Sequence, residues 1–222
     1  MMRLPLSKPV LAAATAACAL LAIVSAPWAL ALPALNFVFK PLATLFIIAY
    51  AWQRGVPGSA TRRWVLVGLI CSLAGDVALL WPAQGFLPGL VSFLLAHLAY
   101  LVAFTRERRL AARVLPFVVY ALIAALVLSQ LWPGVPAALR TPVVAYVLCL
   151  SAMAAQTAVL ALCGDPRTRV LALGGALFML SDALLASNKF GGPLPLASLW
   201  ILSSYWAAQW CIASWLAPNK GA

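Results

Sequence analysis

The sequence predicts an all-α integral membrane protein, a bundle of about eight transmembrane helices that forms a single multi-pass domain over residues 1–222. Two features of the composition carry this prediction. Hydrophobic residues make up 65% of the chain and charged residues only 9%, whereas an ordinary globular protein has roughly 25% charged residues. The chain also contains only four acidic residues, which are too few for the water-exposed surface of a soluble domain of this size.

Eight apolar stretches are long enough to cross the hydrocarbon core of a bilayer, which takes about 20 residues of α-helix. The first resembles a signal peptide because Arg3 and Lys8 precede it, but its apolar run continues past any plausible cleavage site, so we interpret it as a helix. Pro and Gly residues define several of the ends, and the second and fourth stretches are short. The predicted spans are residues 9–27, 35–53, 64–82, 88–105, 113–132, 141–163, 168–188 and 194–216.

Basic residues in the connecting loops orient the predicted bundle. Twelve of the fifteen Lys and Arg residues lie at the two termini and in the second, fourth and sixth loops, and the other three are Lys40, Arg140 and Lys189. Because cytoplasmic loops are enriched in Lys and Arg, we predict an inner-membrane protein with both termini in the cytoplasm. The same clustering between apolar stretches explains the net charge of +11 without nucleic-acid binding.

The five cysteines indicate neither a disulfide framework nor a metal site. They lie inside or at the edges of apolar stretches and no two have Cys-x-x-Cys spacing, so we interpret them as small apolar packing residues. The single histidine excludes a zinc centre with three histidine ligands. The sequence therefore predicts no cofactor.

A short internal repeat relates the third and seventh predicted spans. Residues 68–80 and 174–186 each carry a Gly eight residues before an Asp, follow an Arg-rich loop and precede a loop with Gly and Pro. Both predicted helices run outward from the cytoplasm, so the match allows a parallel duplication of four plus four helices.

Ionisable residues inside membrane spans are costly, tend to face the bundle interior and are usually functional. Asp76 lies about twelve residues into the third predicted span and Asp182 about fourteen into the seventh, so both fall at similar depth in the non-cytoplasmic half. Helical spacing groups polar residues on single faces of the third, fourth, seventh and eighth spans, and Lys40 begins the second span on the same side of the membrane. We predict that one cavity gathers Asp76, Asp182, His97, Tyr100, Tyr205, Lys40 and Lys189.

Structural interpretations of the same residues stay open. Polar side chains within spans also cross-link helices, and long basic side chains also reach the headgroup layer. These interpretations are an Asp182–Lys189 ion pair, helix cross-links by Tyr205 and Gln209, an orienting rather than proton-donating His97, and an interfacial anchor at Lys40.

Six short motifs run in order from the second to the eighth predicted span. They are Lys40-Pro41-Leu42, Gly75-Asp76-Val77, Ala96-His97-Leu98-Ala99-Tyr100, Ser181-Asp182-Ala183-Leu184-Leu185-Ala186, Asn188-Lys189-Phe190 and Tyr205-Trp206-Ala207-Ala208-Gln209. Each motif is weak alone, but together and in order they resemble the YhhN-like family of membrane proteins, whose characterised animal members are lysoplasmalogenases. Ala183 departs from the small hydroxyl residue expected after the second Asp.

The resemblance implies hydrolysis of the vinyl ether bond of 1-alkenyl lysophospholipids, giving a fatty aldehyde and glycerophosphoethanolamine or glycerophosphocholine. Cleavage begins with protonation of the β-carbon and needs an acid and a carboxylate near the resulting cation, as in glycoside hydrolysis. Two neighbouring buried carboxyl groups can divide these roles, and which Asp is the acid stays open. The implied catalytic residues are Asp76, Asp182, His97 and Tyr205, and the implied substrate-binding residues are Lys40, Lys189, Asn188, Tyr100 and Gln209.

The alternative function is a proton-coupled membrane transporter, because carriers also use paired intramembrane Asp residues and parallel repeats. A lipid-binding or scaffolding protein with a structural network of Asp and Lys is a third interpretation. The partners expected for the hydrolase are its lysophospholipid substrate and membrane lipid, and the oligomeric state stays open.

Overall fold

The computed structural model describes residues 7–26, 29–163 and 166–217, and over this part of the chain the fold is helical with no strand. The prediction of an all-α bundle is therefore confirmed. A 3₁₀ turn, Trp132–Gly134, follows the fifth helix, and a π-helical turn, Ser187–Gly191, continues the seventh. The α-helices are α1 (Lys8–Val24), α2 (Pro33–Trp52), α3 (Ala60–Ala78), α4 (Phe86–Thr105), α5 (Val114–Leu131), α6 (Ala137–Ala161), α7 (Pro166–Ala186) and α8 (Ala197–Trp215).

Five of the described helices are long and apolar enough to cross a membrane by length and composition alone, namely α2, α4, α5, α6 and α7. Helix α1 is apolar but shorter. Helix α3 begins with an Arg pair, and α8 carries several Ser residues and a Gln, but both pack inside the same bundle. The molecule is a multi-pass helical membrane protein, and crossing by α1, α3 and α8 stays a prediction.

Helix α3 begins four residues before its predicted start because a polar cap extends it beyond the apolar stretch. The Ser59 hydroxyl oxygen accepts a hydrogen bond from the backbone N–H of Arg62 at 3.3 Å, the usual role of an N-cap serine. The Arg62 guanidinium donates back to the Trp52 carbonyl at the end of α2 at 2.5 Å. Helix α7 also begins before its predicted start, at Pro166. Each Asp therefore lies sixteen residues after the first residue of its helix, Asp76 after Ala60 and Asp182 after Pro166.

Helix packing follows the same pattern in the two halves of the chain. In the first half α1 packs on α2, α2 on α3 and α3 on α4, and in the second half α5 packs on α6, α6 on α7 and α7 on α8. Across the halves α2 packs on α8 and α6 packs on α4. This pattern is the one expected of a parallel duplication, and it places α3 and α7, with their Asp residues, in equivalent surroundings.

Helix α5 lies at the periphery of the bundle. Its outward side chains are largely exposed, including Leu115 and Leu122 at 70% and 66%, and its buried residues are Pro116 and Ala124. Helix α6, by contrast, buries side chains along much of its length. The exposed apolar face of α5 suits contact with lipid.

Candidate active site

Asp76 is fully enclosed between α2, α3 and α8. Only 1% of the Asp76 surface is exposed to solvent. The hydroxyl groups of Thr44 and Tyr205 both donate hydrogen bonds to Asp76 Oδ2, at 2.6 Å and 2.8 Å. Trp206 Nε1 in turn donates to the Thr44 hydroxyl oxygen at 3.1 Å. Two donors from different helices therefore fix the orientation of this carboxyl group.

A second layer of buried groups holds Tyr205. Gln209 Nε2 donates to the Tyr205 hydroxyl oxygen at 3.2 Å, and the Tyr100 hydroxyl donates to Gln209 Oε1 at 2.6 Å. Tyr100 and Gln209 are fully buried. The Tyr100 ring lies against Gly68, where any side chain would overlap it. Because every member has a partner, this network holds the Tyr205 hydroxyl in one position.

Asp182 lies at the end of α7 beside α4 and α6. The Tyr146 hydroxyl donates to Asp182 Oδ2 at 2.5 Å. His97 Nε2 lies 3.4 Å from the same oxygen and 3.0 Å from the Tyr146 hydroxyl. The His97 ring packs edge-on against Phe178, with centroids 4.6 Å apart, and its Nδ1 is buried with no hydrogen-bond partner among the described residues. A carboxyl, a phenol and an imidazole thus form one compact triangle.

The two carboxyl sites correspond to each other through the internal repeat. Each carboxyl receives one hydrogen bond from the helix preceding its own, from Thr44 on α2 or Tyr146 on α6. Each is also contacted from the last helix of the other half, by Tyr205 on α8 or His97 on α4. The residue types differ, so the two sites share their topology but not their chemistry.

A cavity of about 590 Å³ reaches both carboxyl groups, and we call it the polar cavity. It lies at the end of the bundle where α2, α4 and α8 begin and where α3 and α7 end. Six of the nine predicted site residues line it: Asp76, Asp182, Tyr205, Lys40, Lys189 and Asn188. The other three, His97, Tyr100 and Gln209, are fully buried behind its wall. The structure therefore brings most of the predicted set to one cavity and places the rest one layer deeper.

Two lysines and an asparagine also line the polar cavity. Lys40 is buried on α2, one helical turn before Thr44. Lys189 is exposed on the π turn, and its Nζ lies 5.0 Å above the centroid of the Phe86 ring. Among the described residues the basic side chain within 4 Å of the Asp182 carboxyl group is that of His97, rather than Lys189 as in the ion-pair interpretation. Asn188 Oδ1 accepts a hydrogen bond from the backbone N–H of Leu194 at 2.9 Å and closes the loop before α8.

Thr44, Tyr146 and Trp206 are site residues that the sequence prediction missed. Thr44 follows Lys40 by four residues, so helical spacing could have found it on the same face. Tyr146 is the counterpart of Thr44 in the repeat, and extending the repeat from α3 and α7 to α2 and α6 would have singled it out. Among the described residues no three His, Cys, Asp or Glu side chains come together as a metal site.

The fold and site define a multi-pass helical membrane protein with two carboxyl groups, one buried and one half-buried, at one cavity of the helical bundle. The YhhN family matches residues 35–216, and the chain belongs to this family. It is 36% identical over 173 residues to human lysoplasmalogenase TMEM86B, and the aligned region covers 77% of this chain and 70% of the relative.

Two further relatives carry the same functional name. The chain is 39% identical over 160 residues to human lysoplasmalogenase TMEM86A, covering 70% of this chain and 65% of the relative. It is 32% identical over 155 residues to a lysoplasmalogenase of Mycobacterium tuberculosis, covering 67% and 58%. No solved structure matches the chain. The family resemblance predicted from the six motifs is confirmed.

Proposed function

We propose that this protein is an intramembrane hydrolase that cleaves the vinyl ether bond of 1-alkenyl lysophospholipids. The products are a fatty aldehyde and glycerophosphoethanolamine or glycerophosphocholine. The observation that carries the proposal is the polar cavity, where two carboxyl groups and two lysines line one space inside an apolar bundle. The names of the relatives support the substrate class.

The cavity suits a single-chain amphiphile with an anionic headgroup. Lys189 is exposed near the mouth and Lys40 is buried in the wall, so the phosphate can meet one cation after the other. Ammonium groups bind phosphate as compact charges with several donors. The vinyl ether, which follows the glycerol, then reaches the carboxyl groups below the headgroup.

The chemistry is an acid-catalysed addition of water. A carboxyl group transfers its proton to the β-carbon of the vinyl ether, which leaves an oxocarbenium ion at the carbon bonded to oxygen. Water adds to that carbon and gives up a proton to a carboxylate, and the hemiacetal collapses to the aldehyde and the glycerol hydroxyl. One water molecule is consumed and the catalytic proton is restored, as in glycoside hydrolysis.

The surroundings of the two carboxyl groups divide these roles. His97 Nε2 lies within reach of Asp182 and Tyr146, and imidazole is the side chain best suited to move a proton near neutral pH. We therefore assign proton transfer to Asp182 with His97, and stabilisation of the cation to Asp76. Thr44 and Tyr205 hold Asp76 in place.

Tyr100 and Gln209 act as positioning residues in this proposal. Neither residue donates a hydrogen bond to a carboxyl group, and both are connected to Asp76 through the Tyr205 hydroxyl. Their role is to fix that hydroxyl, rather than to contact substrate as the resemblance implies.

The protein is proposed to sit in the inner membrane with both termini in the cytoplasm. The Arg-rich segments between α2 and α3 and between α4 and α5 lie at the bundle end opposite the polar cavity, so the cavity faces the non-cytoplasmic side. Labelling of single cysteines, introduced into these two segments of a variant in which the five native cysteines are replaced, tests the orientation. Labelling from outside intact cells would reverse it.

Aldehyde release by the purified protein tests the proposed activity. We expect 1-alkenyl lysophosphatidylethanolamine to give equal amounts of aldehyde and glycerophosphoethanolamine. The matched 1-alkyl lipid should give no product, because a saturated ether has no double bond to protonate. Folded protein that leaves the vinyl ether intact would contradict the proposal. Lysolipid or proton flux in proteoliposomes without any product would indicate the transporter instead.

Lys189→Gln is expected to raise KM for 1-alkenyl lysophosphatidylethanolamine about fivefold, which corresponds to about 1 kcal/mol, the upper end for an ion pair exposed to solvent. The value of kcat should change little, because Lys189 is distant from the reacting bond in this arrangement. The measurement is steady-state aldehyde release in mixed micelles. Arg140→Gln is the matched control, since Arg140 is an exposed base that lies on Trp132 and outside the polar cavity.

A substrate without phosphate sharpens this prediction. The alkenyl glycerol that lacks the headgroup should be cleaved equally well by the wild type and by Lys189→Gln. If the substitution slows both substrates alike, Lys189 does not bind phosphate and acts on the loop instead.

A further inference from the structure

A second cavity of about 480 Å³, which we call the apolar cavity, lies between α5 on one side and α4, α6 and α7 on the other. Along α5 its lining runs from Val119 to Leu131, and along α7 and the π turn that follows it the lining runs from Ala176 to Phe190. Nearly all of the lining is aliphatic or aromatic. An apolar cavity of this kind suits a hydrocarbon chain.

The two cavities share a wall, and Asp182 is in it. Five residues line both cavities: Leu79, Phe86, Phe93, Asp182 and Leu185. Four of these are apolar, so the carboxyl group of Asp182 is the polar element at the boundary. A molecule that occupied both cavities would cross the wall beside this carboxyl group.

In the π turn after α7, two consecutive side chains line different cavities. Lys189 lines the polar cavity, whereas Phe190 lines the apolar cavity. The Phe190 ring packs edge-on against Phe86, with centroids 5.7 Å apart, and Lys189 lies over the same Phe86 ring. One turn thus offers a cation on one side and a hydrocarbon surface on the other, and π-helical turns are frequent at functional sites.

The internal repeat gives this space a counterpart in the first half of the chain. In the first half of the chain α1 packs against α8. The equivalent neighbours in the second half are α5 and α4, and the apolar cavity lies between them. The position that helix packing fills in the first half is therefore an open space in the second half.

We propose that the apolar cavity holds the alkenyl chain of the substrate, so that the vinyl ether crosses the shared wall beside Asp182. This placement rests on the proposed function. It puts the headgroup in the polar cavity with the two lysines, and it makes Asp182 the carboxyl group that touches the reacting carbons. A chain that leaves a bilayer gains little from entering another apolar space, so the cavity acts by its shape, which positions the bond.

Ala124→Phe tests this placement against a matched neighbour. Ala124 is 7% exposed and lines the apolar cavity, whereas Ala125 is exposed on the outer face of α5. Filling the cavity should lower kcat/KM for a 16-carbon alkenyl substrate about tenfold or more, by obstructing the chain. A six-carbon substrate should be cleaved as by the wild type, and Ala125→Phe should stay within about twofold of the wild type. Equal losses for both chain lengths would overturn the placement.

Photolabelling separates this placement from the activity. The probe is a saturated-ether lysophosphatidylethanolamine with a diazirine in mid-chain, which binds without being cleaved. Labels that an excess of unlabelled lysolipid removes should map to the cavity-facing residues of α5, α6 and α7, and Ala124→Phe should reduce them. Competed labels in the polar cavity would overturn the placement even if aldehyde is released. Labels in the apolar cavity without aldehyde release would support the chain site and reject the hydrolase.

Discussion

Asp182→Asn is expected to abolish aldehyde release, with kcat lowered by about 10³-fold, within the range that a positioned general acid contributes. Asparagine has nearly the shape of aspartate and can still accept the Tyr146 hydrogen bond, so the triangle with His97 keeps its geometry. It cannot deliver a proton to the vinyl ether. The measurement is single-turnover aldehyde release, beside size exclusion and thermal melting in the same detergent.

Two companion variants show whether the carboxyl group itself is needed. Tyr146→Phe keeps the Asp182 carboxyl group and removes one hydrogen bond, so we expect a loss of about tenfold. Asp182→Glu keeps an acid in a displaced position and should retain partial activity. If Asp182→Asn melts like the wild type and keeps a tenth or more of its rate, Asp182 is not the proton donor.

The helices could be predicted from the sequence because apolar length is a strong signal in a membrane protein. All eight predicted spans overlap helices of the described chain. The boundaries failed where polar residues belong to a helix: α3 includes Arg62 because Ser59 caps it, and counting apolar residues cannot include a charged first turn. The π turn after α7 was not predicted, because a change of helical pitch leaves no trace in composition.

The carboxyl groups and lysines of the site could be predicted because a charge inside a membrane span is conspicuous. Thr44 and Tyr146 were missed because hydroxyl side chains are common in apolar helices and carry no such signal. Helical spacing also placed Tyr100 and Gln209 on inward faces, but it could not tell the cavity wall from the layer behind it. That depth depends on how closely α4 and α8 approach α3, where Gly68 admits the Tyr100 ring.

The repeat gives the two carboxyl groups equivalent helices but different partners, and in the proposed mechanism this asymmetry divides the chemistry between them. The site of Asp182 pairs it with imidazole and opens it to both cavities. Asp76 is enclosed by hydroxyl donors, and of the two cavities it lines the polar cavity alone. In the proposed mechanism, two carboxyl sites of the same topology thus supply a proton donor and a fixed anion.

Asp76→Asn is expected to lower kcat by about 10²-fold and to leave KM nearly unchanged, because a preorganised charge acts on the oxocarbenium ion and not on the bound substrate. Asparagine can keep the hydrogen bonds with Thr44 and Tyr205, but it lacks the negative charge. Thr44→Val is the matched control: it removes one donor, keeps the charge, and should cost about tenfold at most.

Combining the two Asp substitutions decides whether both carboxyl groups act on one transition state. Groups that stabilise the same step are not additive, so Asp76→Asn with Asp182→Asn should be about as slow as Asp182→Asn alone. If the fold-loss in kcat of the double variant equals the product of the two single losses, the two carboxyl groups act independently. A lower melting temperature with normal kcat in Asp76→Asn would instead make Asp76 part of a structural network. The kcat of the folded protein therefore distinguishes a catalytic carboxylate from a cross-link between α2, α3 and α8.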